Sequence, residues 1–255
     1  MILTVDMGNT SIKIGLFLNE KIIFFTRLAT VIGKTSFQYA SEIMQMLDLN
    51  GIDAKGISRA VLSSVVPELT EEISNAIAII CSCRPVIITG SLDTGIDIKI
   101  DNPAQLGSDL LVSAVGAANK YTLPCFIVDF GTATKISAVN ENREFIGCMI
   151  APGIELNLKS LAGSASLLHS IPLQAPEKCI GTNTVEAMQS GIILGTASMI
   201  DGMIDKFTKE LGRVATVIFT GGNCKKIMSH CKCSAVYDEY LLLDGLKAAL
   251  EKIGG

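Results

Sequence analysis

Hydrophobic and polar positions in the first half of the chain predict a strand meander followed by alternating helices and strands. Three apolar runs with β-type composition are separated by turn signals at Gly8-Asn9 and Asn19-Glu20. After them, apolar residues recur at helical spacing, and two short apolar runs predict buried strands. The predicted strands are 2–5, 11–17, 21–27, 59–63 and 85–89, and the predicted helices are 37–49 and 67–80.

The second half repeats this pattern. A second meander is predicted, followed by a loop at 151–153, helices and another buried strand that runs into Gly221-Gly222. The predicted strands are 126–129, 135–140, 144–149 and 216–220, and the predicted helices are 155–162, 184–211 and 241–253. Between the halves, the Ala- and Leu-rich stretch 105–120 predicts a helix that packs across a cleft.

A short signature occurs once in each half, at the end of the first strand of each meander. Residues 5–10 read VDMGNT, and residues 128–133 read VDFGTA. Each copy places a carboxylate (Asp6 or Asp129) at a strand end, followed by a glycine and by hydroxyl or amide side chains. A glycine turn lets backbone N–H groups point toward an anion, and the carboxylate is suited to hold a cation or its water. An ordinary β-turn explains one such copy equally well, but the internal duplication favours a phosphate and metal site.

Length and the duplication together predict two similar lobes. A chain of 255 residues is near the size at which a single hydrophobic core divides. We therefore predict lobes at 1–117 and 118–255. Their order of elements predicts an α/β class with mixed sheets, specifically the duplicated ribonuclease H-like (actin-like ATPase) fold, with the two lobes around a nucleotide cleft.

Composition argues against several classes of binding partner. The chain is 49% hydrophobic and 18% charged, with a net charge of −4 and no Trp, which argues against a nucleic-acid surface. The first residues have no basic region, and the apolar runs are too short or too interrupted for a membrane span, so we expect a soluble cytoplasmic protein. The cluster of Cys224, His230, Cys231 and Cys233 matches no standard zinc spacing, and we expect free thiols.

Three further positions are candidates for chemistry. Lys13 lies on the same strand face as Ser11 and could reach a phosphate, although it could also be a solvated strand lysine. Gly221-Gly222 follows a buried strand and could accept an adenosine, or form only a turn. Gly107-Ser108-Asp109 lies at the start of the helix between the halves, where Asp109 suits the helix dipole but could also act as a general base for phosphoryl transfer.

These motifs together resemble the type III pantothenate kinases, a family of the acetate and sugar kinase/Hsp70/actin superfamily, nearly from end to end. The resembling segments are 6–13, 102–103, 107–109, 129–134, 150–153, 181–184, 189–191 and 220–222. The resemblance implies ATP-dependent phosphorylation of pantothenate to 4'-phosphopantothenate, the first step of coenzyme A biosynthesis. It also implies a homodimer and Mg²⁺ accompanying ATP.

The resemblance also assigns roles to positions of this sequence. Asp109 is implied to be the proton acceptor, and Asp129 to bind a monovalent cation (K⁺ or NH₄⁺). The positions implied for ATP are Asp6, Gly8, Asn9, Thr10, Ser11, Lys13 and Thr132, and those for pantothenate are Ile100, Gly107, Ser108, Asp109, Leu110 and Thr184.

Several positions depart from the family pattern. Among the positions implied for pantothenate, Leu110 stands in place of an arginine and Ile100 in place of a tyrosine. A leucine side chain has no donor with which to bind a carboxylate as a guanidinium does. Lys135 and Ser137 stand where the family commonly has Thr and Asp, and Cys148 replaces a glycine. Two alternatives to an active pantothenate kinase therefore stay open at this point: a kinase for another small alcohol, and a nucleotide-binding regulatory protein.

Overall fold

The computed structural model describes residues 1–81, 83–164 and 168–254, which divide into two compact units. The first unit comprises Met1–Lys120 together with Tyr240–Gly255, and the second comprises Tyr121–Glu239. The predicted lobe boundary at 117/118 lies three residues before the first break, but the C-terminal helix, expected in the second lobe, belongs to the first unit.

The first unit contains a five-stranded mixed sheet. Its strands are β1 (Ile2–Met7), β2 (Ser11–Leu18), β3 (Lys21–Ala29), β4 (Arg59–Ser64) and β5 (Val86–Ile87), in the order β3-β2-β1-β4-β5. The predicted meander β1–β2–β3 is antiparallel, whereas β4 runs parallel to β1. The predicted strand 85–89 is shorter than expected and covers only two residues.

Four helices of this unit are α1 (Ser36–Leu49), α2 (Pro67–Cys81), α3 (Ser108–Lys120) and α8 (Leu241–Ile253); the short strand β6 (Asp97–Ile98) precedes α3. Thr35 and Gln38 form a capping box that fixes the start of α1. The predicted helix 105–120 begins later, at Ser108, because Pro103–Gln105 forms a separate 3-10 turn.

Helix α8 packs closely on α3 through two glycines. A Cβ added at Gly116 would lie 2.3 Å from Leu241 O, and one added at Gly245 would lie 1.9 Å from Val112 O. No side chain larger than hydrogen fits at either contact, so the helices approach at backbone distance. The five leucines of α8 are buried, which accounts for its place in the first unit.

The second unit repeats the mixed sheet. Its strands are β7 (Cys125–Phe130), β8 (Ala133–Val139), β9 (Glu144–Pro152), β10 (Thr216–Thr220) and β11 (Val236–Tyr237), in the order β11-β10-β7-β8-β9. As in the first unit, the meander β7–β8–β9 is antiparallel and β10 runs parallel to the first meander strand. Both sheets are therefore mixed, as the duplicated fold requires.

The helices of the second unit are α4 (Ile154–Ser164), α5 (Thr184–Gln189), α6 (Gly195–Leu211) and α7 (Cys224–Ile227). The predicted continuous helix 184–211 is interrupted by a π-helical turn at Ser190–Leu194, a feature that hydrophobic periodicity does not reveal. Each unit has its own apolar core. Among the residues that the structure describes, no helix is long and apolar enough to cross a membrane.

Candidate functional site

The first signature forms the tight turn between β1 and β2. Gly8 N donates to Ser11 O at 3.0 Å, the Thr30 hydroxyl donates to Gly8 O at 2.7 Å, and Thr30 N donates to Thr10 O at 3.1 Å. Asn9 and Thr10 are exposed at the tip. Thr30, which sequence reasoning missed, directly follows β3 and fixes the turn through these two hydrogen bonds, while Asn9 and Thr10 are exposed to solvent.

The carboxylate of this signature is paired with a lysine of the next strand. Asp6 and Lys13 face each other across β1 and β2, and Lys13 Nζ lies 3.3 Å from Asp6 Oδ2. Asp6 is 4% exposed, so its charge is held in place rather than solvated. The predicted phosphate-facing lysine thus lies directly beside the predicted cation-holding carboxylate.

The base motif lies next to the first signature within the same unit. Ser63, at the end of β4, is in register with Asp6 and donates from its hydroxyl to Ser108 Oγ at 3.0 Å. The Ser108 hydroxyl in turn donates to Ser64 O at 3.0 Å. Parallel strands present their carboxyl ends at one sheet edge, and this edge brings Asp6, Ser63, Ser108 and Asp109 into one neighbourhood. Two polar residues closing an otherwise apolar strand were the available sequence signal for Ser63 and Ser64.

Asp109 lies in the first turn of α3 and is half-buried. Leu110 N donates to Asp109 Oδ1 at 2.8 Å, which orients the carboxylate. The adjacent Leu110 is 7% exposed and packs among the apolar residues of the helix, while Ile100 is half-buried. Neither side chain can provide the ionic contact that an arginine would offer to an acceptor carboxylate.

In the second unit, the corresponding turn is built around glycines. Gly131 N donates to Ala133 O at 3.1 Å, and Gly153 N donates to Thr132 O at 3.1 Å. A Cβ on Gly153 would lie 2.5 Å from both Gly131 O and Thr132 O. The loop predicted at 151–153 therefore packs against the backbone of the second signature. Only glycine fits at position 153, because any side chain would collide with that backbone.

The second signature also pairs its carboxylate with a lysine. Asp129 and Lys135 face each other across β7 and β8, and Lys135 Nζ lies 2.9 Å from Asp129 Oδ2. Their side chains are 12% and 13% exposed. The two units thus share a pairing of aspartate and lysine in addition to the glycine turn.

The backbone of Gly221 lies close to the carboxylate of Asp129. Gly221 has a φ of +97°, and a Cβ there would lie 2.5 Å from Asp129 Oδ1, so glycine is required at position 221 for both backbone conformation and space. Asn223 N donates to Phe130 O at 3.0 Å and ties this loop to the second signature. Gly222 is exposed at its tip.

Thr220, the first residue of the resembling segment 220–222, adds a polar group to which sequence reasoning gave no role of its own. It ends β10 in register with Asp129, is 1% exposed, and its hydroxyl has no hydrogen-bond partner in the part of the chain that the structure describes. Leaving a buried hydroxyl unsatisfied costs about 1–3 kcal/mol. Such a group is suited to bonding a ligand.

Thr184 lies in an open pocket of about 530 Å³ within the second unit. The pocket residues are Leu161, Leu168, Gly181, Thr182, Asn183, Thr184, Ala187, Met188 and Gly191. Asn183 caps α5 by accepting from Glu186 N at 3.0 Å. Hydrogen bonds from the backbone N–H and hydroxyl of Thr182 lower the pKa of Glu186, so this rim carries a fixed negative charge beside the exposed Thr184.

The cysteine cluster is not arranged as a metal site. The described residues contain no group of three or more His, Cys, Asp or Glu that could hold a metal ion. Burial raises the pKa of Cys224 and Cys231 to about 12 and that of Cys233 to about 11. With pKa values this high, the three thiols are protonated at neutral pH.

Comparison with known proteins gives consistent matches. The model of the family "Type III pantothenate kinase" matches residues 2–206. A type III pantothenate kinase from Halalkalibacterium halodurans is 36% identical over 252 residues, covering 99% of each chain.

Among solved structures, two similar ones show the fold alone. A protein from Campylobacter jejuni, provisionally described as a Baf family transcriptional activator, has a TM-score of 0.60 at 20% identity and covers 98% of each chain. Component A of (R)-2-hydroxyglutaryl-CoA dehydratase from Acidaminococcus fermentans has a TM-score of 0.56 at 14% identity, covering 97% of this chain and 95% of its own. These matches and the two mixed sheets confirm the predicted duplicated ribonuclease H-like fold.

Proposed function

Because this chain belongs to the type III pantothenate kinase family, we propose that it transfers the γ-phosphoryl group of ATP to the primary hydroxyl of pantothenate. The product is 4'-phosphopantothenate, so the reaction begins coenzyme A biosynthesis. The observation that carries the site assignment is the hydrogen bond between Ser63 and Ser108. It joins the strand end beside Asp6 to the first turn of α3, which carries Asp109, so the phosphate motif and the base motif share one edge of the first unit.

Each unit offers one glycine turn with donors for the phosphates of ATP. In the first turn, the backbone of Gly8, the side chains of Asn9, Thr10 and Ser11, and the ammonium of Lys13 supply donors and positive charge. In the second turn, Thr132 supplies a hydroxyl, and the exposed Gly222 beside Gly221 accepts the adenosine. Mg²⁺ enters with ATP, and Asp6 is the residue that would hold one of its waters. Such positioning and charge stabilisation supply most of the catalysis in phosphoryl transfer.

Asp109 acts as the proton acceptor. Its carboxylate takes the proton of the pantothenate hydroxyl as the hydroxyl oxygen forms its bond to the γ-phosphorus and the bond to the β–γ bridging oxygen breaks, releasing ADP. Leu110 N fixes one oxygen of this carboxylate at 2.8 Å, which leaves its orientation little freedom. A base of this kind contributes about 10²–10⁴ in rate.

The acceptor is bound by residues of the α3 motif and by Thr184. Gly107, Ser108 and Leu110 line the position next to the base, and Ile100 provides an apolar contact. Thr184 binds pantothenate from its pocket across the interface of a homodimer, and the enzyme works in the cytoplasm. With Leu110 in place of arginine, the pantothenate carboxylate is recognised by hydrogen bonds rather than by a guanidinium.

The experiment is a coupled assay of ADP release by the purified chain with ATP, Mg²⁺ and pantothenate. Pantothenate-dependent turnover is expected, and Asp109→Asn should lower kcat by about 10²–10⁴ while the Kd for ATP, measured by calorimetry, is unchanged. The matched control is Asp48→Asn, on the exposed side of α1, which should leave kcat unchanged. ATP binding without pantothenate-dependent ADP release would refute the assignment.

A further inference from the structure

The pair of Asp129 and Lys135 occupies the place at which the family resemblance implies a monovalent cation. Lys135 Nζ lies 2.9 Å from Asp129 Oδ2, with both side chains largely buried. The two residues are in register on adjacent strands, so the ammonium is held against the carboxylate by the sheet itself. A lysine ammonium is a compact point charge with three donors, comparable in charge to the implied ion.

A resident cation at Asp129 would have to share the carboxylate with the ammonium of Lys135. On the side of Oδ1, a Cβ built on Gly221 would lie 2.5 Å from the oxygen, so position 221 cannot supply a side-chain ligand there. Hard cations bind through several oxygen ligands in direct contact. An ion on the same carboxylate would also be repelled by the neighbouring ammonium, because like charges at contact distance interact strongly in a partly buried site. The residues present therefore do not match a K⁺ or NH₄⁺ site.

The first unit contains the same kind of ion pair between an aspartate and a lysine on adjacent strands. Lys13 Nζ lies 3.3 Å from Asp6 Oδ2, again across the first two strands of a meander. In both units the ammonium neutralises an aspartate directly next to a glycine turn suited to phosphate. Without that neutralisation, the carboxylate would repel the phosphates.

We propose that the ammonium of Lys135 replaces the monovalent cation, so that this enzyme binds ATP and turns over without added K⁺ or NH₄⁺. Lys135 is a positioning residue: it neutralises Asp129 and keeps the turn at Gly131-Thr132 open to phosphate. The part of this inference that concerns turnover rests on the proposed function. ATP binding and thermal stability can be measured without pantothenate.

The test compares KCl with tetramethylammonium chloride at equal ionic strength. For each protein, the ATP Kd is measured by calorimetry and the melting temperature by scanning calorimetry. For the wild type, K⁺ should change the ATP Kd by less than about twofold. Without K⁺, Lys135→Thr should bind ATP at least about tenfold more weakly and melt at a lower temperature, because it removes the ammonium that neutralises a buried carboxylate. K⁺ or NH₄⁺ should restore both quantities.

Two control variants separate charge from position. Lys135→Arg keeps the positive charge and should remain insensitive to K⁺. Lys21→Thr, at an exposed position that begins β3, should behave as the wild type. If Lys135→Thr does not fold, the K⁺ titrations of the wild type and of Lys135→Arg still decide the question.

The proposal is overturned if K⁺ strengthens ATP binding by the wild type about tenfold, or if folded Lys135→Thr binds ATP normally without K⁺. A wild type that binds ATP independently of K⁺ but never phosphorylates pantothenate would refute the proposed function alone. It would leave the replacement of the cation by Lys135 supported.

Discussion

Leu110 stands where the family resemblance implies an arginine, directly after the proposed base Asp109. It is buried in the first turn of α3. A leucine there provides no donor for the carboxylate of pantothenate, whereas a guanidinium would bind it with two parallel hydrogen bonds. The affinity for the acceptor should therefore be the property that this substitution changes.

We expect Leu110→Arg to lower the KM for pantothenate at least about tenfold, since a charge-assisted contact is worth about 1.5–3 kcal/mol. The KM for ATP should not change, because the phosphate turns are untouched. Leu110→Met, which keeps the volume without a charge, is the matched control and should retain the wild-type KM. Steady-state kinetics over both substrates measures the difference. A change in both KM values would instead indicate a distorted helix start.

Ser63 tests whether the link between the two motifs of the first unit matters for turnover. In Ser63→Ala, Ser108 loses the hydrogen bond that it accepts at 3.0 Å. One such bond is worth about 1 kcal/mol, so kcat should fall about fivefold, with the melting temperature close to that of the wild type. Ser58→Ala, an exposed serine bonded to Met1 O, should leave kcat unchanged. Equal kcat values for the two variants would show that the link is only structural.

At the scale of elements, local patterns predicted the two meanders and the strand that carries Ser63. They did not predict where a helix is interrupted. Periodicity predicts an unbroken helix over 184–211, whereas the π-helical turn at Ser190–Leu194 depends on backbone hydrogen bonding that composition does not encode. The aspartates and glycines of both signatures were predictable, because their chemistry lies within six consecutive residues. Thr30, Ser63 and Thr220 were not, because their roles arise from neighbours that are distant in sequence.

The packing of α8 on α3 yields a prediction about glycine. In Gly245→Ala, the added Cβ would meet Val112 O at 1.9 Å, so the helices must separate, and overpacking of this kind costs about 1–3 kcal/mol. Gly202→Ala on α6 is the matched control, because an added Cβ there meets nothing within 4 Å. It should be neutral or stabilise by about 0.5–1 kcal/mol, as alanine favours a helix. Urea unfolding of both variants measures the free energies. Equal effects would mean that the close helix contact contributes nothing specific.

At the scale of the molecule, the chain returns to its first unit after completing the second. The second unit ends at Glu239, and Tyr240–Gly255 packs with the first unit. The family model ends at residue 206, so the match does not include this helix. Length and internal duplication predicted two lobes, but could not assign α8, because a helix with one apolar face can pack on either sheet.

Because Tyr240–Gly255 packs with the first unit, we predict that these last sixteen residues are required for the stability of that unit. A chain ending at Glu239 would expose the α8 contact of α3 and lose the buried leucines Leu241, Leu242, Leu243, Leu246 and Leu250. Each buried leucine contributes about 1.5–3 kcal/mol, so their sum is comparable to the whole stability of a domain, about 5–15 kcal/mol. The truncated chain should therefore lose the cooperative melting of the first unit and its binding of ATP. A chain ending at Ile253 keeps α8 and should melt as the wild type does. If the chain ending at Glu239 melted at the wild-type temperature with ATP binding intact, α8 would be dispensable, and the first unit would be stable on its sheet and remaining helices alone.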